Sequence, residues 1–219
     1  MERTLSRLSL TALLLGCFAS GSLKAVTIST TNLGTVSAPM TTGGTLVNQG
    51  VALEATFSLG SATQLTIFTT SYGGGANANG STASAGGFMP SLVLYNVAGN
   101  YVSGQIFPSP IGSADPATGL VGDSYIRTST LGAGTYIVAL SDYLVQQSPA
   151  ATNLSDGFLD YGSDTTFSDV QGNVRTGNYT LNISGPGNAA AAPEPGTLAL
   201  MGPAFGGLAL WMYRRRNAR

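Results

Sequence analysis

Four aspartates lie close together in the second half of the chain: Asp156, Asp160, Asp164 and Asp169. Carboxylates at short spacing can act as the acid and base of glycoside hydrolysis, or they can bind Ca²⁺. Their spacings of four, four and five residues differ from the near-alternate ligand positions of a calcium loop. Glycine and tyrosine neighbours indicate a loop. A solvated loop, a calcium site assembled from several loops and a catalytic pair therefore stay open as alternatives.

Other common chemistry is missing from the sequence. The chain has no histidine, its single cysteine is Cys17, and its single lysine is Lys24. Histidine is the commonest general base and metal ligand, and a serine needs such a base to become a nucleophile. If residues 1–25 are removed from the mature protein, Cys17 and Lys24 are removed with them. We therefore predict a protein that is not an enzyme and that has no cofactor.

The charge pattern excludes one class of partner. Only 9% of residues are charged, and from Val26 to Ala192 the basic residues are Arg127 and Arg175 against eight acids. Nucleic-acid binding needs clustered lysine or arginine, so we predict no nucleic-acid partner. Low charge with abundant Gly, Ser and Thr is typical of an extracellular β-protein.

The periodicity of the central region is that of β-strands. Between Val51 and Leu59 apolar residues occupy alternate positions, which predicts a half-buried strand. Glycine-containing turns separate this segment from others like it, and no stretch has convincing helical spacing. The predicted strands are Val51–Leu59, Leu65–Thr70, Ser91–Tyr95, Tyr101–Phe107, Ser124–Thr128, Thr135–Leu140 and Asn178–Ser184. Such a series predicts an all-β fold, an antiparallel β-sandwich, over residues 26–184.

The N-terminus has the order of a secretory signal peptide. Arg3 and Arg7 precede an apolar run from Leu8 to Phe18, and small residues follow up to Ala25. We predict a signal helix in residues 1–25 with cleavage after Ala25, and cleavage at Gly21 stays open as an alternative. Cys17 lies near the end of the apolar run, so its lipidation stays open as an alternative.

The C-terminus has the order of a membrane-sorting tail. Residues 185–192 form a predicted linker, followed by Pro193, Glu194 and Pro195. The 17 residues from Thr197 to Tyr213 carry no charge. As a helix they would span about 26 Å, which is near the lower limit for crossing a bilayer. Three arginines follow and predict a cytoplasmic end by the positive-inside rule: Arg214, Arg215 and Arg216.

This tail resembles the PEP-CTERM sorting signal of bacterial exported proteins. The resemblance covers residues 193–219. It implies that an exosortase-type membrane enzyme recognises Pro193, Glu194 and Pro195, and that the arginines halt export. The implied route is an exported precursor that the C-terminal helix anchors in the inner membrane, followed by release to the cell surface or the extracellular space.

The central region carries a second resemblance, over about residues 57–140. Its motifs are Ser71–Gly75, the loop, strand and turn from Gly87 to Asn100, and the Gly turn and strand from Leu131 to Leu140. Together they resemble PEP-CTERM secreted proteins, a group similar to bacterial pre-peptidase C-terminal domains. The resemblance implies a jelly-roll-like sandwich associated with secretion and binding rather than catalysis.

These observations favour an exported, non-catalytic component of the cell surface, biofilm or extracellular matrix. The alternative is a surface module that binds polysaccharide or calcium, with exopolysaccharide as the expected partner. Tyr72, Tyr143 and Tyr161 near predicted loops motivate that alternative. The Ser- and Thr-rich stretch from Thr27 to Thr45 is a candidate for O-linked sugar.

Overall fold

The computed structural model describes residues 26–105, 112–148, 151–162 and 166–185. These residues form an all-β fold with two main sheets. One has five strands, in the spatial order β1 (Thr27–Thr35), β3 (Val51–Leu59), β10 (Gly134–Asp142), β7 (Pro90–Asn96) and β8 (Tyr101–Gln105). The other has four strands, in the spatial order β2 (Met40–Thr45), β15 (Asn178–Ser184), β4 (Thr63–Thr69) and β9 (Tyr125–Leu131).

Eight of these strands follow the order of a jelly roll. We count these eight strands in chain order, from β2 as the first to β15 as the eighth. In space, the four-stranded sheet then has the order first, eighth, third and sixth. The other sheet has the order second, seventh, fourth and fifth. β1 is an additional strand beside β3. The all-β prediction is thus confirmed, and a β-sandwich fits the described residues.

One pair departs from the predicted antiparallel arrangement. β1 runs parallel to β3, whereas the other strand pairs of the described residues are antiparallel. The reason is the position of β2. Because β2 lies in the opposite sheet, the chain passes from the first sheet to the second after β1 and returns to the first sheet after β2. β3 then runs in the same direction as β1.

The core lies between the two sheets. The apolar residues that alternate along β3 face the apolar residues of β4 and β15. Leu65, Ile67 and Ile183 are almost completely buried there, and the Phe57 and Tyr136 rings stack at 5.9 Å between centroids. The two-residue period of each strand therefore decides which side chains enter the core.

A second, smaller apolar cluster lies on the outer face of the five-stranded sheet. Val93, Tyr95 and Ala139 are buried there against Leu154 and Phe158. The covering segment contains β11 (Val145–Gln147), a 3₁₀ turn (Leu154–Asp156) and β12 (Phe158–Asp160). The Tyr95 hydroxyl donates a 2.6 Å hydrogen bond to Gln147. This segment explains why β7 is buried on both faces.

All seven predicted strands appear in the structure; Val51–Leu59 and Asn178–Ser184 have the predicted ends, and the other five have shifted ends. Residues 106–107 of the predicted Tyr101–Phe107 strand lie outside the described residues. The sequence pattern does not predict β1 or β2, because their exposed or half-buried residues show no alternation of apolar and polar types. It also does not predict three short two-stranded ribbons, because their strands of two or three residues are too short to show a period. These ribbons pair β5 (Gly75–Ala76) with β6 (Thr82–Ala83), β11 with β12, and β13 (Phe167–Ser168) with β14 (Val174–Arg175).

The predicted terminal helices, residues 1–25 and 197–213, lie outside the described residues. Within 26–105, 112–148, 151–162 and 166–185, no helix is long and apolar enough to cross a membrane. The division into signal peptide, domain, linker and sorting tail stays a prediction.

Candidate functional site

The long connections of the described chain gather at one end of the sandwich. We call this the loop end; it comprises residues 46–50, 70–89, 112–124, 142–144, 160–162 and 166–177. The opposite end, which we call the turn end, has the short links 36–39, 60–62, 97–100 and 132–133. Because loops on a rigid scaffold are where binding residues concentrate, the loop end is the candidate functional site.

Tyr72 is at the centre of the loop end, where it is fully buried. The Arg175 guanidinium lies over its ring, with the guanidinium carbon 4.0 Å from the ring centroid. The Tyr72 hydroxyl donates a 3.0 Å hydrogen bond to Oδ2 of Asp169, and Nη1 of Arg175 is 3.2 Å from Oδ2 of Asp115. This cluster joins loops that lie about a hundred residues apart in the chain.

The two carboxylates of this cluster are held in their charged form. Burial by itself would raise the pKa of Asp115, but hydrogen bonds from Thr118 and the charge of Arg175 outweigh it and lower the pKa. Burial would likewise raise the pKa of Asp169, but hydrogen bonds from Asn173 and from the backbone N–H of Gln171 lower it. Both groups are therefore buried anions that the surrounding donors stabilise.

Asp123 organises the chain that follows β4. Its Oδ1 accepts hydrogen bonds from the Thr69 hydroxyl (2.9 Å) and the Tyr72 N–H (3.0 Å), and its Oδ2 accepts one from the Gly73 N–H (2.9 Å). Burial raises its pKa, and these donors offset only part of that effect. One side chain thus fixes the backbone of residues 69–73.

Asp142 has the most unusual environment of the described acids. It is fully buried, and its Oδ1 accepts hydrogen bonds from Gln49 Nε2 (2.8 Å) and the Leu144 N–H (2.9 Å). No described residue donates a hydrogen bond to its Oδ2. Burial raises the pKa of Asp142, those two hydrogen bonds lower it in part, and the nearby charge of Asp160 raises it again, giving a pKa of about 7.

The four aspartates that the sequence analysis singled out have separate positions. Asp156 caps the 3₁₀ turn, accepting hydrogen bonds from the Thr152 and Asn153 N–H groups at 2.9 and 3.0 Å. Asp160 is buried and accepts a 2.8 Å hydrogen bond from the Gly162 N–H. Asp164 lies outside the described residues, and Asp169 belongs to the Tyr72 cluster.

The solvated-loop alternative is wrong for Asp160 and Asp169, because both are buried. Each carboxylate stabilises a turn by accepting hydrogen bonds from backbone N–H groups two to four residues later, as aspartate commonly does. Among the described residues no group of three or more acidic side chains is arranged to hold a metal ion. A calcium site that includes Asp164 stays a prediction.

The tyrosines proposed for polysaccharide binding also differ from one another. Tyr72 is buried, Tyr143 is half-buried and Tyr161 is exposed. On the edge strands β8 and β9, Tyr101 and Tyr125 are exposed as well, at 47% and 37%. Sequence alternation does not reveal these two, because β8 has no alternating burial and the buried face of β9 includes the polar Thr128.

The sequence pattern does not mark Tyr72 as a structural centre, nor does it mark Asp115, Asp123, Asp142 and Arg175. The only local signal is an aspartate within a turn. The partners come from distant segments: 97 residues separate Tyr72 from Asp169, and 60 separate Asp115 from Arg175. Residues Ala25, Pro193, Glu194, Pro195 and Arg214–Arg216 lie outside the described residues, so their predicted roles stay predictions.

No family model and no curated protein matches this chain. Solved structures that are similar to it at low identity include two bacterial proteins. The pre-peptidase C-terminal domain of a collagenase from Bacillus anthracis is 14% identical, with 71% of this chain and 93% of that chain covered and a TM-score of 0.35. CorA, a surface-associated copper-binding protein important in copper acquisition by Methylomicrobium album BG8, is 12% identical, with 74% and 100% covered and a TM-score of 0.37.

The first of these structures belongs to the group that the central motifs resemble. At these TM-scores the similarity carries no argument about this chain. The fold assignment therefore rests on the strand order and on the core.

Proposed function

We propose that this chain is an exported, non-catalytic protein of the bacterial cell surface, biofilm or extracellular matrix. An exosortase-type enzyme would process its C-terminal tail. The sorting motif Pro193–Pro195, the apolar segment 197–213 and the arginines Arg214–Arg216 support the route. The composition of the central region, with little charge and no histidine, supports a role outside the cell that does not depend on catalysis.

The direction of β15 is the structural observation that supports this proposal most. β15 begins at Asn178, which pairs with Thr45 at the loop end, and finishes at Ser184 at the turn end. The predicted linker and tail therefore start from the turn end. A precursor attached through that tail would present the loop end away from the membrane.

The buried aspartates are compatible with a display role. Asp123, Asp160 and Asp169 accept hydrogen bonds from backbone N–H groups of loop-end residues. Such carboxylates stabilise loop conformations. A catalytic pair would instead need two carboxyl groups flanking a substrate. A rigid set of loops on a sandwich is a common platform for binding.

Deletion of residues 193–219 tests the sorting route. In the native host we expect the deleted chain to accumulate in the periplasm or the medium in place of normal surface delivery, measured by cell fractionation and surface labelling. Substitution of alanine for all three of Pro193, Glu194 and Pro195 should have the same effect. Substitution of glycine for Ala190 and Ala191 in the linker should not. Equal surface amounts of the deleted and the intact chain would contradict the proposal.

A polysaccharide-binding role is the second candidate, and one observation favours it. β8 and β9 lie side by side, the Tyr125 N–H donates a 3.2 Å hydrogen bond to Oε1 of Gln105, and Tyr101 and Tyr125 are both exposed. Exposed aromatic rings supply large, rigid contact surfaces for a ligand.

Calorimetry with the host's exopolysaccharide, with and without Ca²⁺, tests this candidate. Tyr101→Ala and Tyr125→Ala should each remove most of the heat of binding, whereas Tyr161→Ala at the loop end should leave it unchanged. If the intact chain gives no heat with the polysaccharide or with calcium, the binding role is wrong.

A further inference from the structure

β1 is the outermost strand of the five-stranded sheet. It pairs with β3 on one side, and no strand of the described residues pairs with it on the other. Seven of its nine residues are exposed, including Ile28 at 41%. An edge strand presents unpaired N–H and C=O groups and can pair with another strand.

The backbone directions along β1 can be assigned from its pairing. The Thr27 N–H donates a 2.9 Å hydrogen bond to the Gly50 carbonyl, so Thr27 directs its backbone groups toward β3. Because these directions alternate along a strand, Ser29 and Thr31 also face β3, whereas Ile28 and Thr30 direct their N–H and C=O groups away from the sheet. A strand that approaches this edge would meet those outward groups.

This edge lacks the usual protection against pairing. Proteins commonly place charged side chains or proline on exposed edge strands. Here no charged residue occurs from Val26 to Leu53, and β1 contains no proline. A register shift between Asn32 and Gly34 distorts only the far end of the strand. The opposite side of the sandwich differs, because Arg127 lies on β9 and β8 lies beside β9.

We propose that β1 pairs antiparallel with β1 of a second copy of this chain, forming one continuous sheet across a two-fold axis. The lack of charge on β1 permits this partner. From Val26 to Ala192 the chain has eight acids and two arginines, so two copies repel one another, but pairing through an edge without charged residues places no like charges directly opposite each other. An edge that pairs with itself also satisfies the requirement of a symmetric interface.

We place the two-fold axis at Thr30, because it is the middle one of the outward-directed residues Ile28, Thr30 and Asn32. Centred on Thr30, the pairing places Thr30 opposite its copy and Ile28 opposite Asn32 of the other copy. Threonine pairs across neighbouring strands are stabilising. The inference goes beyond the proposed function, because a monomeric surface protein would satisfy that proposal equally well.

Sedimentation of the full chain in a non-ionic detergent tests the proposal. We expect the unchanged chain to form a dimer as its concentration rises. Thr30→Lys, which places two positive charges opposite each other, should yield a monomer with an unchanged circular dichroism spectrum. Thr130→Lys, which adds the same charge to the exposed edge of β9, is the matched control and should leave the dimer intact.

A cross-linking measurement complements sedimentation without adding charge. In a Cys17→Ser background, Thr30→Cys should form an intermolecular disulfide under mild oxidation, because opposite residues of an antiparallel pair lie about 5.5 Å apart between Cα atoms. Thr130→Cys should not. A chain that is monomeric at every concentration would overturn the proposal, and so would a dimer that Thr30→Lys leaves unchanged.

Discussion

Asp142 and Asp123 show how two buried carboxyl groups can differ in their effect on stability. Both oxygens of Asp123 accept hydrogen bonds from Thr69, Tyr72 and Gly73. In Asp142 only Oδ1 has donors among the described residues, Gln49 and Leu144. The charge of Asp142 is therefore poorly compensated, and burial together with Asp160 raises its pKa to about 7.

The raised pKa of Asp142 makes folding dependent on pH. The folded protein keeps a proton that the unfolded chain releases at a pKa of about 4, so the free energy of unfolding falls as pH rises from about 4 to about 7. Well above pH 7 the buried carboxyl is fully ionised, and the loss in the free energy of unfolding that this charge causes is complete. Asp142→Asn should remove it, raising the free energy of unfolding by on the order of 1–3 kcal/mol at pH 8 and changing it little at pH 4.

Urea unfolding of the two proteins at pH 4 and pH 8 checks this prediction. Asp123→Asn is the contrasting variant. It should destabilise the fold at both pH values. In the unchanged protein the Gly73 N–H donates to Oδ2 of Asp123; in the variant an amide NH₂, which cannot accept a hydrogen bond, would face a backbone N–H donor. Equal stability of Asp142→Asn and the unchanged protein at pH 8 would contradict the assignment of a poorly compensated charge.

A second prediction concerns the buried hydroxyl of Tyr72, which we expect to stabilise the loop end. Tyr72→Phe keeps the ring beneath Arg175 but removes one of the two hydrogen bonds that Oδ2 of Asp169 accepts from the described residues; the other, from Asn173 Nδ2, remains. We expect a loss of about 1–2 kcal/mol in the free energy of unfolding. Tyr125→Phe, at an exposed position, should change it by less than about 0.5 kcal/mol. If the two substitutions cost the same, the buried hydroxyl does not stabilise the loop end.

At the scale of elements, the loops of the loop end hold one another in place. Residues 69–73 are fixed by Asp123, and Gly73 lies against the backbone of Ser113. A Cβ added at Gly73 would overlap the Ser113 carbonyl oxygen, so one of the two segments would have to move. The close approach of two backbones therefore requires glycine at this position.

Gly73→Ala tests that packing. We expect it to lower the free energy of unfolding by about 2 kcal/mol or more, because the added Cβ would overlap the Ser113 carbonyl oxygen and a shift of residue 73 would disrupt its N–H hydrogen bond to Asp123. Gly132→Ala is the matched control, since an added Cβ there meets no atom within 4 Å, and it should change stability by about 0.5 kcal/mol at most. Equal melting temperatures for the two variants would show that the loops are not tightly packed.

A strand can be predicted from the sequence when one of its faces is buried and the other is not. β3, β4 and β10 bury alternate residues against the opposite sheet, so their sequences carry a two-residue period. β1 is exposed on both faces and has no such period. The candidate site was less predictable, because Asp115, Asp123 and Asp169 acquire their roles from partners about 50 to 100 residues away in the sequence.

For the whole molecule, the arrangement gives three distinct regions. The loop end carries most of the buried acids, the turn end leads into the predicted linker, and β1 forms an uncharged edge along one side. An attached precursor would present its loops outward while its edges remain free to meet a second copy. Display of the loops and lateral pairing would both serve the proposed role as a surface or matrix component.

The intact mass of the native protein, recovered from its host, tests the central claim most directly. We predict a mass that corresponds to a chain beginning at Val26 and ending near Pro193, with the mass of any attached group added. That result would establish both signal removal and processing of the tail. A mass that retains Arg219 would contradict processing, and a mass that also retains Met1 would contradict export by signal cleavage.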